Sequence, residues 1–266
     1  MIAPAPRDPS TQLVLMSIGN TRTSASTWSA TTRSDAEHVV TDPIKPVADL
    51  LGRQWEKLPA DGNRAVIISS VSPPALTQLC TMAAARNIAP LWIIGAELPP
   101  PIEADVREPD KVGTDRLCVA AAAYAKLQAA CVVADFGTAL TIDLVADDGV
   151  FLGGTILPGM ALCARALHEH TAQLPRVEVG TPRETLGKDT ESAIRNGVFA
   201  MMVGGLREIA ERYATQIGKW APLVVTGGDA RAVADACDFV DHIVPDLCLD
   251  GLLIAYQKHV QDHPDA

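Results

Sequence analysis

The stretch Cys131-Val132-Val133-Ala134-Asp135-Phe136-Gly137-Thr138-Ala139 aligns without a gap on Leu13-Val14-Leu15-Met16-Ser17-Ile18-Gly19-Asn20-Thr21. Each copy reads as a buried strand, one polar residue, one apolar residue and a glycine turn. Val66-Ile67-Ile68-Ser69-Ser70 and Leu223-Val224-Val225-Thr226-Gly227 occupy matching places downstream, each followed by a helix pattern. A device used twice at long spacing points to a duplicated unit.

Working outward from the first copy, the apolar pattern predicts strands over 13–16, 21–28 and 37–40. Val47, Leu50, Leu51, Trp55 and Leu58 then recur at helical spacing, followed by a strand over 65–69, a helix over 74–86 and a strand over 90–94. That order is βββαβαβ. After a helix over about 114–129 it repeats: strands over 131–134, 140–145 and 151–156, helices over 160–173 and 191–216, a strand over 223–225, a helix over 230–236, a strand over 240–244 and a helix over 249–259. The expected division is a loose N-terminal extension over 1–12, a first α/β half over 13–112 and a second over 113–266. Two such halves facing each other place both glycine turns at one cleft.

Bulk composition narrows the function classes. With 266 residues, 48% hydrophobic and 20% charged, the chain can bury a full core. A formal net charge of −10 argues against a nucleic-acid footprint and against a polybasic membrane surface. No apolar run approaches the ~20 residues that span a bilayer, and the opening prolines Pro4, Pro6 and Pro9 interrupt any signal-peptide core. A cytoplasmic protein is expected. The six cysteines never form Cys-x-x-Cys and mostly sit in apolar runs, so they read as small buried hydrophobes.

Several segments carry chemistry. At Asp135-Phe136-Gly137-Thr138 a strand end offers a carboxylate for a cation, a glycine that lets backbone approach an anion, and a hydroxyl donor; taken alone it is also compatible with a tight hairpin. Gly113-Thr114-Asp115-Arg116 opens an alanine-rich helix. Either Asp115 caps that helix and Arg116 is a surface cation, or Asp115 accepts the proton of an attacking hydroxyl while Arg116 forks onto a carboxylate or phosphate. A base beside an anion clamp suits phosphoryl transfer to an acidic alcohol. Gly153-Gly154-Thr155-Ile156-Leu157-Pro158-Gly159-Met160 is either an anion-facing helix start or a structural corner, and Gly227-Gly228-Asp229 either contacts a nucleotide or caps the next helix. Walker and Rossmann glycine patterns are absent, and His168-Glu169-His170 lacks zinc-site spacing.

The ordered set of motifs resembles the type III pantothenate kinases, members of the acetate and sugar kinase, heat-shock ATPase and actin superfamily. It comprises Ile18-Gly19-Asn20-Thr21-Arg22-Thr23, Ser69-Ser70-Val71, Pro109 with Val112–Arg116, Asp135–Ala139, Gly153–Gly159, and Gly187-Lys188-Asp189-Thr190 with Gly197. The resemblance implies a duplicated ribonuclease H-like (actin-like ATPase) α/β fold, a homodimer, and ATP-dependent phosphorylation of pantothenate to 4′-phosphopantothenate, the first step of coenzyme A biosynthesis. It further implies Asp115 as general base and Gly113, Thr114, Asp115 and Arg116 as pantothenate contacts. ATP falls to Ser17, Ile18, Gly19, Asn20, Thr21, Arg22, Thr23, Ser24 and Thr138. Asp135 matches the ligand of a monovalent cation, K+ or NH4+, and Thr190 matches a residue reaching pantothenate from the partner subunit. ATP is expected with Mg2+.

Two departures stand out. Ser17 occupies the place of the usual aspartate in the first phosphate loop, and the internal repeat agrees, since Ser17 faces Asp135 in the alignment. The hydroxyl lacks the negative charge that holds Mg2+ near the phosphates. Val106 replaces the usual tyrosine of the pantothenate pocket, and Glu108 the usual asparagine. These motivate the alternative of a catalytically impaired relative with a regulatory or binding role; a kinase or phosphatase acting on another small acid is a third reading.

Overall fold

Successive strand residues point to opposite faces, and a strand buried on both reads as a continuous apolar run. β1 (Gln12–Ile18) is such a strand. In this computed structural model, which describes residues 11–29 and 31–263, β1 is followed by β2 (Arg22–Ser29), the two-residue β3 (Thr32–Arg33), β4 (Glu37–Val40), α1 (Lys45–Glu56), β5 (Arg64–Ser70), α2 (Pro73–Ala85) and β6 (Leu91–Ile93). Their sheet has the order β3-β2-β1-β5-β6, with β4 also paired to β2. β1 runs antiparallel to β2 and parallel to β5.

The second round comprises α3 (Thr114–Leu127), β7 (Cys131–Phe136), β8 (Ala139–Val145), β9 (Phe151–Pro158), α4 (Met160–Glu169), α5 (Thr190–Ile217), β10 (Leu223–Gly227), α6 (Ala230–Ala234), β11 (His242–Ile243) and α7 (Leu247–Asp262). Its sheet order is β11-β10-β7-β8-β9, and β7 is antiparallel to β8 and parallel to β10. Both sheets therefore repeat one topology, the duplicated ribonuclease H-like α/β fold expected from the sequence.

The chain forms two compact units. One takes the chain up to Glu103, Arg107–Ala122 and the segment from Asp246 onward; the other takes Ala104–Val106 and Ala123–Pro245. The sequence repeat divides at 112/113, whereas compactness places most of α3 and all of α7 with the first sheet. Side-chain alternation gives the reason. Val14, Met16, Val66 and Ile68 pack under α1 and α2, while Leu13, Leu15, Ala65 and Ile67 need cover on the other face and find it in Cys118 of α3 and Leu249, Leu252 and Tyr256 of α7. Each fully buried leucine or isoleucine contributes about 1.5–3 kcal/mol, and a one-residue slip would exchange the two sets. In the second unit Val132, Ala134, Phe136, Leu140 and Ile142 pack with Met160, Val198, Met202 and Val233.

The expected extension over 1–12 falls outside the described residues up to residue 10, and Gln12 already pairs with Arg64 in the sheet. α4 stops at Glu169 rather than 173. Thr171 Oγ1 donates to the Leu167 carbonyl at 2.7 Å and accepts the Leu174 N–H at 3.3 Å, so side chains take over from the helix ladder. β11 is two residues long instead of five, because the Asp241 carboxylate accepts the Leu223 N–H at 2.8 Å in place of a strand partner. The described cysteines are all free thiols, four of them buried.

Candidate active site

α3 opens after Gly113, whose carbonyl accepts the Leu117 N–H at 3.3 Å. Thr114, Asp115 and Arg116 form its first turn. Asp115 thus lies inside the helix rather than at its cap, and its Oδ1 accepts the Arg116 backbone N–H at 2.8 Å. A Cβ on residue 113 would stand 2.5 Å from the same oxygen, so the carboxylate occupies space that only glycine leaves open. Burial pushes the Asp115 carboxyl above the ordinary range, opposed by the Arg116 backbone N–H and guanidinium. A carboxylate of raised basicity accepts protons more readily. Thr114 Oγ1 lies 2.8 Å from Ser69 Oγ at the end of β5.

The first glycine turn joins β1 to β2. Gly19 donates its N–H to the Arg22 carbonyl at 3.0 Å, and a Cβ there would come 2.9 Å from that oxygen. Buried Thr41 pins the turn. Its Oγ1 donates to the Gly19 carbonyl at 2.9 Å, its N–H donates to the Thr21 carbonyl at 2.9 Å, and Thr23 Oγ1 lies 3.0 Å from its hydroxyl. Asn20, Thr21 and Arg22 are exposed, whereas Ile18 and Thr23 are buried and shape the turn from below. In register, Ser17 stands between Ser24 of β2 and Ser69 of β5.

The second turn joins β7 to β8 and is one residue shorter. Pairing resumes at Phe136↔Leu140, against Ile18↔Thr23 in the first. Gly137 and Thr138 are exposed. Asp135 stands between Thr141 of β8 and Thr226 of β10. Gly227, at φ +95, approaches so closely that a Cβ would lie 2.5 Å from Asp135 Oδ1. The start of α4 closes over the turn: Gly159 donates to the Thr138 carbonyl at 3.0 Å, and a side chain at 159 would meet the Gly137 carbonyl. The Asp135 carboxylate is an oxygen donor of the kind that hard cations take. Among the described residues no three His, Cys, Asp or Glu side chains gather into a metal centre.

The profile of the family described as type III pantothenate kinase matches residues 13–212. The chain belongs to that family. Its relatives named type III pantothenate kinase include those of Caulobacter vibrioides (35% identical over 257 residues, 93% of this chain and 97% of the relative) and Hyphomonas neptunium (31% over 253 residues, 93% and 99%). That of Dehalococcoides mccartyi strain 195 is 35% identical over 201 residues, 76% of this chain and 78% of the relative. Among solved structures, MreB5 of Spiroplasma citri bound to ADP aligns with a TM-score of 0.53 at 11% identity, covering 98% of this chain and all of that one. EutJ of Carboxydothermus hydrogenoformans aligns with 0.52 at 17% identity, covering 95% and 92%. These two bear on the fold alone, and they bear out the actin-like ATPase architecture.

As a type III pantothenate kinase the protein is an enzyme that phosphorylates pantothenate with ATP in coenzyme A biosynthesis. The remaining expected residues of the kinase lie in the second unit. Val106 belongs to the segment 104–106, which joins the edge of β9 through the Ala104↔Phe151 bridge and the Asp105 N–H to the Phe151 carbonyl at 2.9 Å. Its Cγ1 would be 3.5 Å from a Cβ on Gly153. Thr190 is the exposed first residue of α5, held by a capping box in which Asp189 accepts the Ser192 N–H at 2.7 Å. Sequence reasoning missed Thr41, His38 and Asp246. Nothing in their local sequence marks them, because strand register and the entry of α7 bring them to the first turn.

Proposed function

We propose that this kinase uses Asp115 as the general base that takes the proton from the primary hydroxyl of pantothenate. The observation that carries the proposal is the Asp115 carboxylate at the start of α3, seated in space that Gly113 leaves open and made more basic by burial. As the hydroxyl oxygen bonds to the γ-phosphorus of ATP, its proton passes to Asp115 and the bond to the ADP oxygen breaks. Gly113, Thr114 and Arg116 hold pantothenate, with Val106 lining its pocket. Residues 17–24 and Thr138 hold ATP, and Asp135 holds K+ or NH4+. Mg2+, when bound with ATP, neutralises phosphate charge. Thr190 reaches pantothenate from the second subunit of a homodimer; its exposure, and that of Leu186 and Met201 nearby in sequence, supports this. The free thiols support action in the cytoplasm. Among the described residues no helix is long and apolar enough to cross a membrane.

The test is ATP consumption by the purified protein with and without pantothenate, in K+ and Mg2+, with mass detection of 4′-phosphopantothenate. Pantothenate-dependent product that Asp115→Asn abolishes, with the oligomer intact, establishes the assignment; equal rates remove Asp115 as base. Ser17 favours the second reading, an impaired relative with a binding or regulatory role. A folded protein giving no product and no ATP-dependent thermal shift would select it.

A further inference from the structure

The row of side chains through Ser17 continues beyond its two neighbours. Residues directly opposite one another in a sheet point to the same face, so the register Ser17↔Ser24 and Ser24↔His38 sets Ser17, Ser24 and His38 side by side across β1, β2 and β4. This is the face that carries Leu13 and Leu15, the face covered by α7. Ser24 Oγ lies 2.8 Å from His38 Nδ1, and His38 Nε2 faces Asp246 Oδ1 at 3.5 Å. Asp246 precedes α7 at φ +54 and makes no side-chain capping bond to its own helix. An aspartate at a helix start ordinarily spends its carboxylate on the helix N–H groups; this one is turned to His38 instead.

The tautomer follows from the partners. A neutral ring facing a carboxylate through Nε2 carries its proton there, leaving Nδ1 as acceptor. Ser24 then gives its only proton to Nδ1. With that proton committed to His38, the Ser24 oxygen presents only its lone pairs and acts as an acceptor, without the charge that a carboxylate at 17 would bring.

We propose that Asp246 and His38 orient Ser24 so that its oxygen, rather than Ser17, serves as the acceptor for the hydrated Mg2+ of ATP at the first glycine turn. Ser24 is the binding group and His38 a positioning residue. The proposal rests on the reading that residues 17–24 receive ATP, and the experiment separates the two.

Calorimetry measures binding of ATP with Mn2+, and of ATP with excess EDTA, to wild type, Ser24→Ala, His38→Ala, Ser17→Asp, the double variant Ser17→Asp/His38→Ala and Gly19→Val; the spin resonance of Mn2+ reports the metal directly. Ser24→Ala and His38→Ala are expected to weaken Mn2+-ATP about 10–100-fold, the range for groups that support a metal site, while metal-free ATP binds His38→Ala as it binds wild type. The double variant regains Mn2+-ATP affinity, because a carboxylate at 17 makes the relay unnecessary. A merely structural His38 would lower both affinities together, and Ser17→Asp would not rescue it; that result overturns the proposal. So does unchanged Mn2+-ATP binding in Ser24→Ala and His38→Ala while Gly19→Val abolishes it, an outcome that leaves the ATP reading standing. If Gly19→Val, folded by circular dichroism, binds ATP as wild type does, the ATP reading itself fails and the proposal falls with it.

Discussion

In the second sheet Asp135 stands between Thr141 and Thr226, and in the first Ser17 stands between Ser24 and Ser69. The flanking hydroxyls sit at equivalent places and only the central residue changes charge. Register explains the constancy, since both central strands are buried on two faces and cannot slide. The centre lies at the strand's half-buried end, where a polar exchange leaves the packing untouched. The turns also differ in support. The second is closed by backbone, from Gly159 and from Gly227. The first, one residue longer, is held by the Thr41 side chain. Duplication has kept the scaffold while letting the chemistry of the two turns diverge.

The largest effect is expected at Asp115. Asp115→Asn, next to Thr114 at the far end of the Ser17 row, is expected to lower kcat by about 10²–10⁴-fold, the range for a general base. Burial raises the Asp115 pKa, so the acid limb of kcat/KM lies above the ordinary carboxylate value of about 4. Such a group stabilises the fold below its unfolded pKa and loses that contribution as pH rises through the folded one. At neutral pH the asparagine variant is therefore expected to melt no lower than wild type, and higher where ionised Asp115 burdens the fold, as calorimetric scans across pH will show. Asp135→Ser makes the second row resemble the first. Activation by K+ is expected to vanish, with a rate loss at least within the roughly 10–100-fold range that even neighbours of metal ligands are worth; rates in K+ and in tetramethylammonium check it.

Smaller effects sharpen the contrast in support. Gly227→Ala places a side chain at φ +95 against the Asp135 carboxylate and is expected to cost about 1–3 kcal/mol. Gly137→Ala, whose nearest contact is an ordinary 3.5 Å, is expected to stay within about 0.5 kcal/mol. Urea denaturation of both variants measures the difference. Thr41→Val removes the bond to Gly19 and the partner of Thr23 and is expected to cost about 1–2 kcal/mol. Amide exchange should quicken around Gly19–Thr21 and not around Gly137–Thr138; faster exchange at both turns would contradict the separate supports.

Much of this was legible in the chain. The gapless alignment of 13–21 on 131–139, the period-two runs and the helical spacings give the repeated βββαβαβ order, because burial on both faces of a central strand writes itself into consecutive apolar residues. Gly113-Thr114-Asp115-Arg116 and Asp135-Phe136-Gly137-Thr138 were readable for a similar reason: a close backbone approach demands glycine, and the reacting groups sit within a few residues of it. The end of α4 and the shortness of β11 were not, since Thr171 and Asp241 replace ladder bonds with side-chain bonds that leave no periodic trace.

The sequence by itself therefore determined the elements, their duplication, the family and the local content of each turn. Tertiary structure decided what stands beside what: α7, from the far end of the chain, packs on the first sheet and brings Asp246 to His38, and β5 carries Ser69 to Thr114. Those pairings join residues tens to hundreds of positions apart through strand register and helix packing, and no local pattern of residues encodes such a distance.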